Sequence, residues 1–126
     1  MSDLEVRKFD WDFEGIPFLW NPEQPRFSVL MNQITFVITS FERYICRAMS
    51  AAESRITDPA VKQEARLFKG QEGVHAAAHR KHADALLAQY PGLQSILDKS
   101  QQAYDEQFES QSLEYHLAYA GGLERL

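Results

Sequence analysis

The sequence predicts an all-α protein: an antiparallel bundle of three long helices, entered through an irregular arm rich in aromatic residues. Two observations carry this. Apolar residues recur at three- and four-residue spacing along 27–53, 59–90 and 93–120. The breaks between these stretches are short and carry helix start and stop signals, as in helices that fold back alongside one another.

The arm, residues 1–26, holds Phe9, Trp11, Phe13, Phe18 and Trp20 with Pro17, Pro22 and Pro25. Prolines fix φ and remove donors, so a long helix is not expected here. That many aromatic rings carry too much apolar area for a free tail, and the arm is expected to pack across the helices.

In the first helix, 27–53, Leu30, Ile34, Val37, Phe41 and Ile45 mark the apolar stripe. Met31, Ile38, Glu42 and Met49 form the adjoining row, so Glu42 sits at the edge of the face expected to be buried. Asp58-Pro59 starts the second helix: Asp caps free amides and Pro is tolerated at the first helical position. This helix, 59–90, would be roughly 48 Å long at 1.5 Å per residue. Gly70 and Gly73 flank Glu72, and each costs about 1 kcal/mol against Ala in a helix. Two so close predict tight packing or room for a ligand. Pro91-Gly92 turns the chain into the third helix, 93–120, striped by Leu97, Tyr104, Phe108 and Tyr115. The chain is read as a single helical domain, 1–126.

The chemistry concentrates on the second helix. At 100° per residue, Glu72, His75, His79 and His82 fall within roughly 80° of one another. Val61, Ala65, Phe68 and Leu86 share that sector, so it should face the core. Burying a carboxylate and imidazoles is costly unless they are paired or ligated, and a metal ion is the simplest common partner. Glu72-x-x-His75 is the unit that bundle di-metal sites take from two of their helices, the other two giving one Glu each. Here the series runs Glu42, then Glu72 and His75, then Glu114 on the third helix.

Phe-Glu-Arg-Tyr-Ile at 41–45, Thr-Asp-Pro at 57–59, Gln71-Glu72-x-x-His75-x-x-x-His79 and Leu-Glu-Tyr-His at 113–116 resemble a bacterial family of predicted metal-dependent hydrolases. The resemblance spans about residues 9 to 120. It implies a ferritin-like bundle, with Glu42, Glu72, His75, His79 and Glu114 at metal-site positions. It also implies a further helix rich in His and Glu beyond this chain. A second copy, a longer chain or a one-metal site would each accommodate that departure.

Imidazole with carboxylate suits Fe, Mn or Zn better than Ca or Mg. The carboxylate-rich pattern favours Fe or Mn and di-metal oxygen chemistry, as in a di-iron or di-manganese oxidase. A site with several histidines and an open position favours Zn and hydrolysis, with Glu72 or Glu42 as base. A non-catalytic metal-binding bundle and a helical dimerisation module with an incomplete site are the readings from other classes. Glu72 is the expected catalytic residue.

Net charge is −5, with no basic stripe to neutralise phosphates, so nucleic acid is not an expected partner. No apolar run approaches the roughly 20 residues that span a bilayer, and the N-terminus lacks the apolar core of a signal peptide. One cysteine, Cys46, excludes an internal disulfide, and a reducing cytoplasm is the expected compartment. No phosphate-binding glycine loop, nucleophile elbow or dinucleotide fingerprint is present. Apolar helix faces predict a small, largely apolar substrate. Three helices leave one side of a bundle open, and a homodimer is expected to cover it.

Overall fold

The computed structural model describes residues 3–124 and is all-helical. Four helices follow the arm: α1 (Pro25–Ala52), α2 (Pro59–Gln89), α3 (Gln94–Ser110) and α4 (Leu113–Leu123), with 3-10 turns at Glu53–Arg55 and Pro91–Leu93. Side-chain pairings give their directions. Thr35 meets His82, Cys46 meets the Lys69 carbonyl and Glu53 meets Arg66, so α2 runs antiparallel to α1. Arg43 meets Gln101 and Arg47 meets Asp105, so α3 runs parallel to α1. Arg55 meets Glu114 and Tyr44 meets His116, so α4 is antiparallel to α1 again. The helix α1 is the axis on which the other three pack. Among the described residues, no helix is long and apolar enough to cross a membrane.

The α2 start is the one expected. Asp58 accepts from the amides of Ala60 at 2.8 Å and Val61 at 3.2 Å, with Pro59 at the first helical position. The third helix departs from expectation: 93–120 is not continuous but breaks at Gln111–Ser112. Gln111 is extended, with φ −112° and ψ 164°. Ser112 then caps a new helix, its hydroxyl accepting from the Tyr115 amide at 3.2 Å. Across the break His116 Nε2 donates to the Phe108 carbonyl at 3.0 Å, satisfying an acceptor that the end of α3 would otherwise orphan. Gly121-Gly122, just past the expected end of the third helix, lies inside α4.

The buried face of α1 is a second correction. Leu30, Ile34 and Val37 of the predicted stripe are exposed, at 52%, 38% and 48%. Their half of α1 buries Ser28, Asn32, Thr35 and Thr39 instead, because these polar groups have partners. Asn32 donates to the Phe18 carbonyl at 2.8 Å and accepts from Trp20 Nε1 at 3.0 Å. Ser28 Oγ accepts from the Asn21 amide at 2.8 Å. The arm therefore covers the polar side of α1, and the apolar stripe turns outward. Farther along α1, Phe41 and Ile45 are buried as predicted.

The arm lies along α2, and α2 side chains hold its carbonyls. Gln71 donates to the carbonyl of Glu5 at 2.7 Å, Lys81 to Trp11 at 3.3 Å and Gln89 to Ile16 at 2.6 Å. Gly70 is where this approach is closest: a Cβ there would stand 2.8 Å from Val6 Cγ2. Tight packing thus accounts for Gly70, whereas a Cβ on Gly73 would meet open space. Two apolar clusters form the core. One joins Phe36 to Ala83, Leu86 and Leu97; the other joins Phe41, Tyr44 and Ile45 to Ala120. The polar seam of α1 and α2 runs between them.

Candidate metal centre

Glu42 on α1 and Glu72 and His75 on α2 meet on that seam. Their ligand atoms lie within 4.8 Å of one another, and they are the only such trio of His, Cys, Asp or Glu among the described residues. His75 Nδ1 is 3.8 Å from Oε1 of each carboxylate. The carboxylates are buried, while the His75 side chain is 58% exposed. The trio thus has an acidic floor and an open edge.

This floor is electrostatically unfavourable as it stands. Burial, then the neighbouring charges of Glu72 and Glu124, pushes the Glu42 carboxyl up to about 8. Glu72 is raised as well, by burial and then by Glu124, with His75 opposing. Glu42 Oε2 is buried with no hydrogen-bond partner. A cation would remove the repulsion and give the orphaned oxygen a partner, so the donor set fits a metal. Two carboxylates and an imidazole are donors that suit Fe, Mn or Zn, and the open edge leaves room for a further ligand.

The other predicted residues divide. His79 lies one turn beyond His75, lining the same cavity, with Nδ1 3.2 Å from Thr35 Oγ1. Burial, then His82 and His75, lowers its pKa, so it is neutral at pH 7 and can ligate. Glu114 is not brought to the cluster. It sits in the first turn of α4, side chain 71% exposed, and pairs with Arg55 at 2.6 Å. Its own backbone amide, then Arg55, holds its carboxyl below the usual range. The helix break is the reason: restarting the helix at Leu113 makes Glu114 a helix-start carboxylate.

Glu124, at the other end of α4, was missed. It follows the buried Ala120 by one turn, its amide bonding the Ala120 carbonyl at 3.1 Å, and its charge reaches both buried carboxylates. No spacing in the sequence marks it, because the break sets the course of α4.

A cavity of about 540 Å³ opens beside the trio. Glu42, His75, His79 and His82 line one wall, and Phe9, Trp11, Phe13 and Trp20 of the arm line the other. Its size is that of a small-molecule site.

Paired buried carboxylates with histidines beside an aromatic cavity define a helical bundle that carries a candidate metal site. The comparison with known families agrees: residues 5–126 match the family described as predicted metal-dependent hydrolase, and the chain belongs to that family. No curated protein and no solved structure gives a significant match.

Proposed function

We propose that this chain is a metal-dependent hydrolase of small, largely apolar substrates. The observation that carries the reading is the buried Glu42–Glu72–His75 trio at the wall of an aromatic-lined cavity. Glu42, Glu72 and His75 would hold the ion, with His79 as fourth ligand oriented by its Nδ1 contact to Thr35. When bound, the ion supplies Lewis-acid polarisation and lowers the pKa of water. Glu72, whose carboxyl burial and the charge of Glu124 hold above the usual range, is the carboxylate assigned to take the proton from the attacking water. The aromatic wall holds the apolar part of the substrate and keeps bulk water from it.

The test is elemental mass spectrometry on protein purified without a metal-affinity tag, followed by a panel of apolar esters and amides. Stoichiometric Fe, Mn or Zn, with turnover lost on Glu72→Ala, is the expected result. No metal uptake, even after reconstitution with all three, overturns it.

The same reading includes a homodimer. The exposed Phe27, Leu30, Ile34 and Val37 on α1 follow a three–four–three spacing, which is the repeat by which two like helices interlock. A second copy is the occupant that such a self-complementary stripe fits. Light scattering should give twice the 14.5 kDa chain mass, and Ile34→Lys should return it to the chain mass. A wild-type monomer would overturn the dimer.

A further inference from the structure

The metal trio does not use His82, yet His82 is the most enclosed histidine of the cavity wall. It is 8% exposed. Its Nδ1 lies 2.9 Å from Thr35 Oγ1, the hydroxyl that also contacts His79. Its Nε2 is buried and has no hydrogen-bond partner. The Phe13 ring lies against it, with centroids 5.2 Å apart. A buried polar atom without a partner carries a desolvation penalty that nothing within the protein returns.

We propose that His82, oriented by Thr35, is the polar recognition element of the aromatic cavity, and that the cavity takes an amphipathic molecule with a hydroxyl-type group at His82 Nε2. This rests on the cavity being the substrate site. The apolar body lies among Trp11, Phe13 and Trp20. His82 is two helical turns from His75, so the recognised group stands roughly 10 Å along α2 from the metal trio. The ligand is thus gripped at one end and attacked at the other.

The hydrogen-bond arithmetic selects a hydroxyl. Thr35 has one hydroxyl proton and two imidazole Nδ1 neighbours, so at most one of them accepts and the other donates. Without metal, either tautomer of His82 is therefore consistent with its surroundings; with His79 ligating through Nε2, its Nδ1 donates to Thr35 and His82 Nε2 carries the proton. A hydroxyl, which both donates and accepts, pairs with Nε2 in both cases, whereas a carbonyl or an ammonium pairs in only one. Nε2 is covered within the protein, and Phe13 is the ring packed against the imidazole. Phe13 belongs to the stretch of arm between the two outer tethers, Gln71 to Glu5 and Gln89 to Ile16.

The chain's two tryptophans, Trp11 and Trp20, both line the cavity, so intrinsic fluorescence reports its occupancy. The experiment titrates the full chain, stripped of metal by a chelator, with cyclohexylmethanol and with ethylcyclohexane. The preference for the alcohol in wild type, divided by that in His82→Phe, removes the difference in hydration between the probes. It should be about tenfold, the value of one buried hydrogen bond. Thr35→Val, which removes the orienting hydroxyl at nearly constant volume, should lose part of that preference; it decides the matter if His82→Phe does not fold. The same preference in wild type and variant, or no binding of either probe to wild type, overturns the proposal. Alcohol selectivity in a chain that takes up no metal upholds it and defeats the metal reading alone.

Discussion

Glu42→Gln should stabilise the metal-free protein at pH 8 and weaken its metal binding, two effects of opposite sign from one atom change. The Glu42 carboxyl is buried and its pKa stands at about 8, against 4.5 for an unperturbed glutamate. Between these values the folded chain holds a proton that the unfolded chain has released. Stability therefore falls as pH rises from 4.5 to about 8, and the full penalty of the buried charge is present above that window. Carried whole, the shift would be worth about 5 kcal/mol. Solvent in the adjoining cavity screens much of it, leaving about 1–2 kcal/mol as the expected gain for glutamine. The substitution also removes a like charge beside Glu72. Metal and proton compete for the same oxygen, so affinity in the wild type should climb with pH across this window. Glutamine should cost at least about a hundredfold in affinity, more than the loss of a group that only supports a ligand. Thermal unfolding at pH 5 and pH 9 with and without metal reads both. An unchanged pH slope in Glu42→Gln would show that Glu42 is not the titrating group.

Much of the frame was legible because it depends on local chemistry. Asp58-Pro59 and Pro91-Gly92 are helix signals that act within a turn, and both boundaries fell within two residues of the expected ones. The break at Gln111–Ser112 was not legible: the flanking residues Ser110 and Leu113 include neither Gly nor Pro. It is fixed by a contact between residues eight apart, His116 to the Phe108 carbonyl. The orientation of α1 was hidden for a related reason. Periodicity locates an apolar stripe but does not say which side of the helix is covered. Asn32, Thr35 and Ser28 are buried because a distant arm and a second helix supply their partners. Those partnerships have no signature in the helix itself.

The candidate site follows the same division. Glu72 and His75 share a face by helix geometry alone, and Glu42 lay at the edge of its row, so bringing the three together needed only that α1 and α2 be antiparallel neighbours. Glu114, expected at the site, lies away from it, and Glu124, which the sequence did not single out, acts on it instead. In an unbroken helix over 93–120 Glu114 would have lain inside the helix, away from its start. In the real one it sits in the first turn after the Ser112 cap, and the far end of α4 brings the charge of Glu124 within reach of the carboxylates. Sequence reasoning thus fails where a helix ends for tertiary reasons, and here that failure lies next to the functional seam.

His116→Ala should be among the most destabilising single changes in the chain, by about 2–4 kcal/mol, although it touches neither the metal trio nor the cavity. His116 is 3% exposed and uses both ring nitrogens. The Phe108 carbonyl can only accept, so Nε2 carries the proton, and Nδ1 accepts from the Tyr44 hydroxyl at 2.6 Å. The ring also stacks on Phe108 with centroids 4.5 Å apart and an angle of 4°. Alanine leaves the Tyr44 hydroxyl and the Phe108 carbonyl to find other partners and opens a ring-sized void in the cluster that holds α4. Tyr44→Phe removes one of these bonds and keeps the packing, so it should cost about 1 kcal/mol. The ordering of the two variants in urea unfolding is the signature. In amide exchange, α4 should lose protection before α1 and α2, because its α1 contacts run through Tyr44 and Phe41. Equal costs for the two variants would mean that the Tyr44–His116 hydrogen bond alone, and neither the ring packing nor the bridge to Phe108, fixes α4. The consequence would reach the site: α4 carries Glu124, so loosening it should lower the pKa of Glu42 by removing one of the charges that raise it.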